Sequence, residues 1–230
     1  MKTSKTVLIT GSSKGLGEAL SQIFAKNCYN IILHGRDIVK LEEIKKQILR
    51  EGLLCDVVVG DILENSTLNE LAMLSDSRDI DIFINNAAVY LRKPFNETSE
   101  DEIRNVLNTN LIAPILLIKK IFPIFERKKS GLVLNINSFA GKNAGDGESI
   151  YCASKHGLKG FMSSLQFDAN RNSVRVIDVY LGAMNTQMVE GRKDIEKCIH
   201  TSEAADLIYK LCEEYKSLRI NEVDLLRRLY

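Results

Sequence analysis

Short runs of aliphatic and β-branched residues alternate with longer stretches in which apolar positions recur every three or four residues, and this alternation continues along the whole chain. The short runs predict strands at 7–10, 31–34, 55–59, 80–85, 132–137, 174–180 and 222–226. The amphipathic stretches predict helices near 15–27, 37–51, 65–75, 99–127, 149–170 and 202–216. Several strands are apolar at successive positions, as expected of strands covered on both faces. Repeated strand–helix units predict an α/β fold, with a doubly wound, seven-stranded, mostly parallel sheet and helices on both faces. Asp37 or a neighbour caps the second helix, and Thr98 or Ser99 with Asp101 and Glu102 opens the fourth. Pro114 and Pro123 fall within that fourth segment and are expected to kink or interrupt it. No low-complexity linker intervenes, so residues 1–230 read as a single domain.

Composition removes several classes of function. Lys and Arg (31) nearly balance Asp and Glu (30), so no global field favours nucleic acid or an anionic membrane. Cys28, Cys55, Cys152, Cys198 and Cys212 are odd in number and form no CxxC pair, which argues against a disulfide framework and against a zinc site. No metal is expected, and a reducing cytoplasm is the expected compartment. His34, His156 and His200 are dispersed and read as structural or surface residues. The apolar run after Met1 is too brief for a signal peptide or a membrane span.

The turn after the first strand reads Thr10-Gly11-Ser12-Ser13-Lys14-Gly15-Leu16-Gly17 and opens the first helix. Glycines here let backbone amides approach a pyrophosphate resting on the helix amino terminus, so the turn predicts a dinucleotide site. The second strand ends in His34-Gly35-Arg36-Asp37. An acidic residue at the first position would read a free ribose, whereas Arg36 there, with Lys14 nearby, favours a 2′-phosphate and hence NADP(H). Asp37, one place later, either caps the helix or reads a free ribose, and NAD(H) remains the alternative.

Chemistry concentrates in Tyr151-Cys152-Ala153-Ser154-Lys155, with Ser138 upstream. On a helix, Tyr151 and Lys155 share a face, roughly 6 Å apart along the axis. A phenol has a reference pKa of about 10, and a fixed positive charge at about 5 Å would favour the phenolate by roughly 3 kcal/mol, or about two pKa units. Tyr151 is therefore expected to act as a general acid/base. The polar, glycine-rich segment 142–149 reads as a loop at the carboxyl end of the sheet, where open α/β folds bind ligands, and 187–200 reads as a second.

Taken together, these motifs resemble the short-chain dehydrogenase/reductase family, in its form of about 250 residues, and the resemblance covers nearly the whole chain. It rests on Thr10, Gly11, Gly15 and Gly17; on Asp61 and Ile62 after the third strand; on Asn85-Asn86-Ala87-Ala88, with alanine in place of a final glycine; and on Asn110, Ser138, Tyr151 and Lys155 in the family's order. The resemblance implies a Rossmann fold and an NADP(H)-dependent oxidoreductase moving a hydride between the nicotinamide and a small-molecule carbonyl or alcohol.

By resemblance, Tyr151 is the acid/base and Ser138 stabilises the substrate oxygen. Lys155 lowers the phenol's pKa and binds the ribose, while Asn110, with Asn108 as the nearby competitor, holds a water linked to Lys155. Gly11, Ser12, Ser13, Lys14, Gly15, Leu16, Gly17, Arg36, Asp61, Ile62, Asn86, Ala87, Tyr151, Lys155 and Thr186 contact the cofactor. After the sixth strand the family usually shows proline–glycine, but the run here is Leu181-Gly182-Ala183-Met184-Asn185-Thr186, which predicts a freer turn. The resemblance also implies a homodimer or homotetramer. Tyr90, Phe139, Met184 and Met188 are candidates for the substrate pocket. A non-catalytic NADP(H)-binding regulator of the same fold is the alternative; it predicts loss of the tyrosine, lysine or serine, and all three are present. A sugar-nucleotide epimerase or dehydratase would need a larger carboxyl-terminal domain and a differently spaced glycine motif.

Overall fold

The computed structural model describes residues 5–186, 197–213 and 218–228. Seven strands, β1 (Thr6–Ile9), β2 (Asn30–Gly35), β3 (Cys55–Val59), β4 (Ile82–Asn85), β5 (Gly131–Ser138), β6 (Val174–Leu181) and β7 (Glu222–Leu225), form one sheet. Their order is β3-β2-β1-β4-β5-β6-β7, and every neighbouring pair is parallel. The helices are α1 (Gly15–Lys26), α2 (Ile38–Arg50), α3 (Asn65–Ser77), α4 (Glu100–Leu107), α5 (Ala113–Lys128), α6 (Ser149–Arg171) and α7 (Thr201–Cys212).

Strand periodicity divides the core into two layers. Val7 and Ile9 of β1, with Ile31 and Leu33 of β2, pack against α1, α2 and α7 through Leu20, Phe24, Leu41, Ile44 and Ile208. Leu8, Ile32, Phe83 and Val133 face the other way, onto Leu68, Leu71, Leu117, Ile121, Phe125, Leu158 and Met162 of α3, α5 and α6. Chain order reverses between β1 and β4, so the loops after these strands diverge and open a crevice at the carboxyl edge.

The fourth predicted helix is continuous over 100–128, but its irregularity lies upstream of both prolines. Residues Asn108–Ile112 form a π-turn, closed by the Ala113 N–H donating to the Asn108 carbonyl. In a regular α-helix the ring of Pro114 would press on the carbonyl of Asn110, four residues back, and the widened turn removes that conflict. Pro123 lies inside α5 without ending it. Ser99 and Glu102 form a full capping box at the start of α4. By length and composition this helix would also suit a membrane span, yet Val106, Leu117, Ile118, Ile121 and Phe125 are buried in the fold.

Candidate active site

Three strand ends are stitched together beneath the glycine-rich turn. The Thr10 hydroxyl donates to the Ile84 carbonyl at 3.4 Å and accepts from the N–H groups of Asn86 (3.0 Å) and Ala87 (3.1 Å). Asn86 Nδ2 donates back to the carbonyls of Thr10 and Gly11, at 2.9 and 3.0 Å. His34 Nδ1 accepts from the Gly11 N–H at 3.4 Å, and burial lowers its pKa to about 4, which keeps the ring neutral for that role. Ser12 is fully buried, its hydroxyl exchanging hydrogen bonds with the His34 backbone at 2.9 and 3.1 Å. It therefore shapes the turn from behind, while Ser13, Lys14, Gly15, Leu16 and Gly17 line the cleft.

The turn fits a pyrophosphate. A Cβ on Gly17 would lie 2.2 Å from the Gly11 carbonyl oxygen, and one on Gly11 would lie 2.9 Å from Ala87 Cα, so only glycine permits this approach of backbone to backbone. Lys14, the N-cap of α1, supplies no side-chain cap to the helix N–H groups behind it. Those donors carry the positive end of the helix dipole and suit an anion. Arg36 lies at the mouth, 74% exposed, 3.8 Å from the Asp61 carboxylate. Asp37 accepts from the Lys40 N–H at 3.1 Å through Oδ1 and caps α2, and it also lines the cleft beside Arg36. Asp61, Ile62, Asn86, Ala87 and Thr186 all line the same cleft.

The cleft is continuous, with a volume of about 1680 Å³, and runs from Arg36 to Ser138, Tyr151 and Lys155. Tyr151 is 7% exposed and Lys155 3%. Lys155 Nζ lies 5.9 Å from the Tyr151 ring centroid and donates to the Ile136 carbonyl of β5 at 3.2 Å. The Ser138 hydroxyl, oriented by the Ala140 N–H that it accepts at 3.1 Å, sits beside the phenol and favours its ionised form.

The electrostatics nevertheless correct the expectation drawn from spacing. Burial raises the phenol's pKa to about 12; Ser138 opposes this, and the Glu148 carboxylate adds to it. Burial also lowers Lys155 to about 8, with Asp178 opposing the fall. Burial is the largest cause of the shift in each group.

Asn110 is 1% exposed, within the π-turn. Its Oδ1 accepts from the Val89 N–H at 2.9 Å, and its Nδ2 donates to the Val89 carbonyl (2.8 Å) and to Ser154 Oγ (3.2 Å). Both amide hydrogens are thereby committed to holding the segment after β4 against α6. The turn at Leu181-Gly182 is also tighter than the missing proline suggests. Leu181 continues β6 in register with Ser138 and Leu225, and the Gly182 N–H donates to the Leu225 carbonyl at 2.9 Å.

Sequence reasoning missed a buried polar row below Lys155. Asn85, Asn135 and Asp178 stand opposite one another on β4, β5 and β6. Asn85 Nδ2 donates to Asn135 Oδ1 at 2.7 Å, Asn135 Nδ2 to Asp178 Oδ1 at 2.6 Å, and Asn137 Nδ2 to Asp178 Oδ2 at 3.0 Å. Burial raises the pKa of Asp178, and these amides oppose the rise. The signal in the sequence was a few polar residues, Asn85, Asn135, Asn137 and Asp178, inside strands that are otherwise mostly apolar. Of the candidate pocket residues, Tyr90, Phe139 and Met184 line the cleft, as do Glu148 and Leu226, which the sequence had not marked. Met188 and residues 187–196 of the second predicted loop lie outside the described residues.

A family model described as short chain dehydrogenase matches residues 5–197. A sepiapterin reductase of Chlorobaculum tepidum is 32% identical over 79% of this chain and 78% of that protein. Dehydrogenase/reductase SDR family member 7 of Mus musculus is 30% identical over 82% of this chain, which spans 58% of that longer protein. An NADP-dependent 3-hydroxy acid dehydrogenase of Schizosaccharomyces pombe is 30% identical over 96% of this chain and 85% of that protein. Among solved structures, a metagenomic short-chain oxidoreductase in complex with NADP superposes with a TM-score of 0.86 at 26% identity, covering 98% of both chains.

Proposed function

The chain belongs to the short-chain dehydrogenase/reductase family, and from that premise we propose that it is an NADP(H)-dependent oxidoreductase of carbonyl and alcohol substrates in which Tyr151 exchanges the proton. The observation that carries this reading is the convergence of Ser138, Tyr151 and Lys155 in the one cleft that the glycine-rich turn also lines. Arg36 and Lys14 supply positive charge for a 2′-phosphate, and the uncapped start of α1 supplies donors for the pyrophosphate. The NADP bound by the metagenomic relative agrees with this choice of coenzyme.

The nicotinamide supplies the hydride chemistry when bound. Tyr151, neutral at physiological pH because burial holds its pKa at about 12, gives its proton to the carbonyl oxygen as a C–H bond forms at the carbonyl carbon. Ser138 turns its one hydroxyl hydrogen to the same oxygen and stabilises the developing charge. Lys155, an ammonium at neutral pH although burial has lowered it to about 8, stabilises the phenolate left on Tyr151 and is acidic enough to help return a proton to it. Asn110 is a positioning residue, fixing the segment after β4 to α6 through Val89 and Ser154.

The test is NADPH consumption over a panel of carbonyl compounds by the wild type and by Tyr151→Phe. The variant should lose about 10²–10⁴-fold in kcat while binding NADPH within about twofold of the wild type. Comparable turnover would remove the acid/base assignment. A wild type that binds NADPH and reduces nothing would favour the regulatory alternative.

A further inference from the structure

The substrate end of the cleft carries a charge that the reaction itself does not use. Tyr90 stands edge-on to Tyr151, with ring centroids 5.0 Å apart, and its hydroxyl donates to Glu148 Oε1 at 2.5 Å. Glu148 is the N-cap of α6, one helical turn before Tyr151, and both Tyr90 and Glu148 are half-buried in the cleft wall. Two nearby cations are engaged away from Glu148. Lys142 is held by Glu222 (3.2 Å) and Asp224 (2.6 Å), and Arg92 is directed to Asp146, to its carboxylate at 3.7 Å and its carbonyl at 3.2 Å. Lys155 lies buried beneath the reacting position, and Arg227 lines the cleft from the chain's carboxyl-terminal side. Tyr90 and Glu148 thus flank Tyr151 on the cleft wall, with one carboxylate oxygen taken by the Tyr90 hydroxyl and the other lying against Gly145.

Building on the proposed carbonyl reduction, we propose that Glu148, backed by Tyr90, selects carbonyl substrates that carry a cationic or hydrogen-bond-donating nitrogen group a few bonds from the carbonyl, and disfavours those carrying a carboxylate or phosphate there. Tyr90 occupies one carboxylate oxygen and supplies an aromatic face that attracts a cation. At a half-exposed site, one charge changes affinity by roughly tenfold in each direction.

Three aldehydes of one shape test this: 4-formylbenzamidine (cationic), 4-formylbenzamide (neutral) and 4-formylbenzoate (anionic). For the wild type, kcat/KM should fall in that order, with at least tenfold between the ends. Glu148→Gln keeps an acceptor for Tyr90 but removes the charge, and should compress the ratio to about threefold or less. Tyr90→Phe should keep the order. Binding of the same compounds to the NADPH complex of Tyr151→Phe should follow the same ranking by Kd, which reads selection without turnover. An unranked or inverted series, or a ratio unchanged in Glu148→Gln, overturns the inference. Ranked binding without turnover in the wild type would overturn the oxidoreductase reading instead and leave the selection standing.

Discussion

Lys155→Met should make the protein more stable while removing its activity. Lys155 is 3% exposed, and burial lowers its ammonium from the ordinary 10.5 to about 8. At about 1.4 kcal/mol per pKa unit, carrying the charged lysine costs the fold of order 3 kcal/mol at pH 7. Methionine has similar length and no charge, but it forfeits the hydrogen bond from Nζ to the Ile136 carbonyl at 3.2 Å, worth about 1 kcal/mol net. A gain of about 2 kcal/mol at pH 7 remains. Its pH dependence is the sharper test. Below pH 8 both folded and unfolded chains hold the proton, and the cost is complete. Between 8 and 10.5 the unfolded chain holds a proton that the folded one has released, so wild-type stability rises with pH and the cost disappears above 10.5. By pH 9.5 the gap between variant and wild type should have fallen below about 1 kcal/mol. Urea unfolding followed by circular dichroism at pH 7 and 9.5 measures it. A gap that does not narrow with rising pH would refute the view that the site carries this lysine at a cost in stability.

The cofactor end yields three further outcomes. Arg36→Leu should lower the preference for NADPH over NADH by about tenfold or more, the scale of a charge-assisted phosphate contact; an unchanged coenzyme ratio in kcat/KM would remove Arg36 from that role. Asp37→Ala removes the α2 cap from Lys40 and should cost about 1 kcal/mol in urea unfolding while leaving the coenzyme ratio alone, since the carboxylate is engaged with its own helix. Gly17→Ala places a Cβ where the Gly11 carbonyl oxygen stands 2.2 Å away, so the turn must shift, at a cost of about 1–3 kcal/mol. NADPH titration of whatever folded variant can be purified should show at least a tenfold weaker Kd.

The strands could be read from the sequence because burial on both faces leaves a local mark, and the glycine-rich turn because its geometry admits few other residues. Pro114 did signal an irregularity in the fourth helix, but a proline acts on the carbonyl four residues behind it, so the distortion falls on Asn110 rather than on the proline itself. The row Asn85–Asn135–Asp178 was not legible, since its meaning depends on which residues three separate strands place side by side, and register is a non-local fact. The same limit applies to Tyr151 and Lys155. Helical spacing announces that a phenol and an ammonium share a face; it does not reveal that both are withdrawn from water, the phenol raised to about 12 and the ammonium lowered to about 8. Burial thus moves each group towards its neutral form, and under the proposed reading this suits Tyr151 to donate a proton at neutral pH.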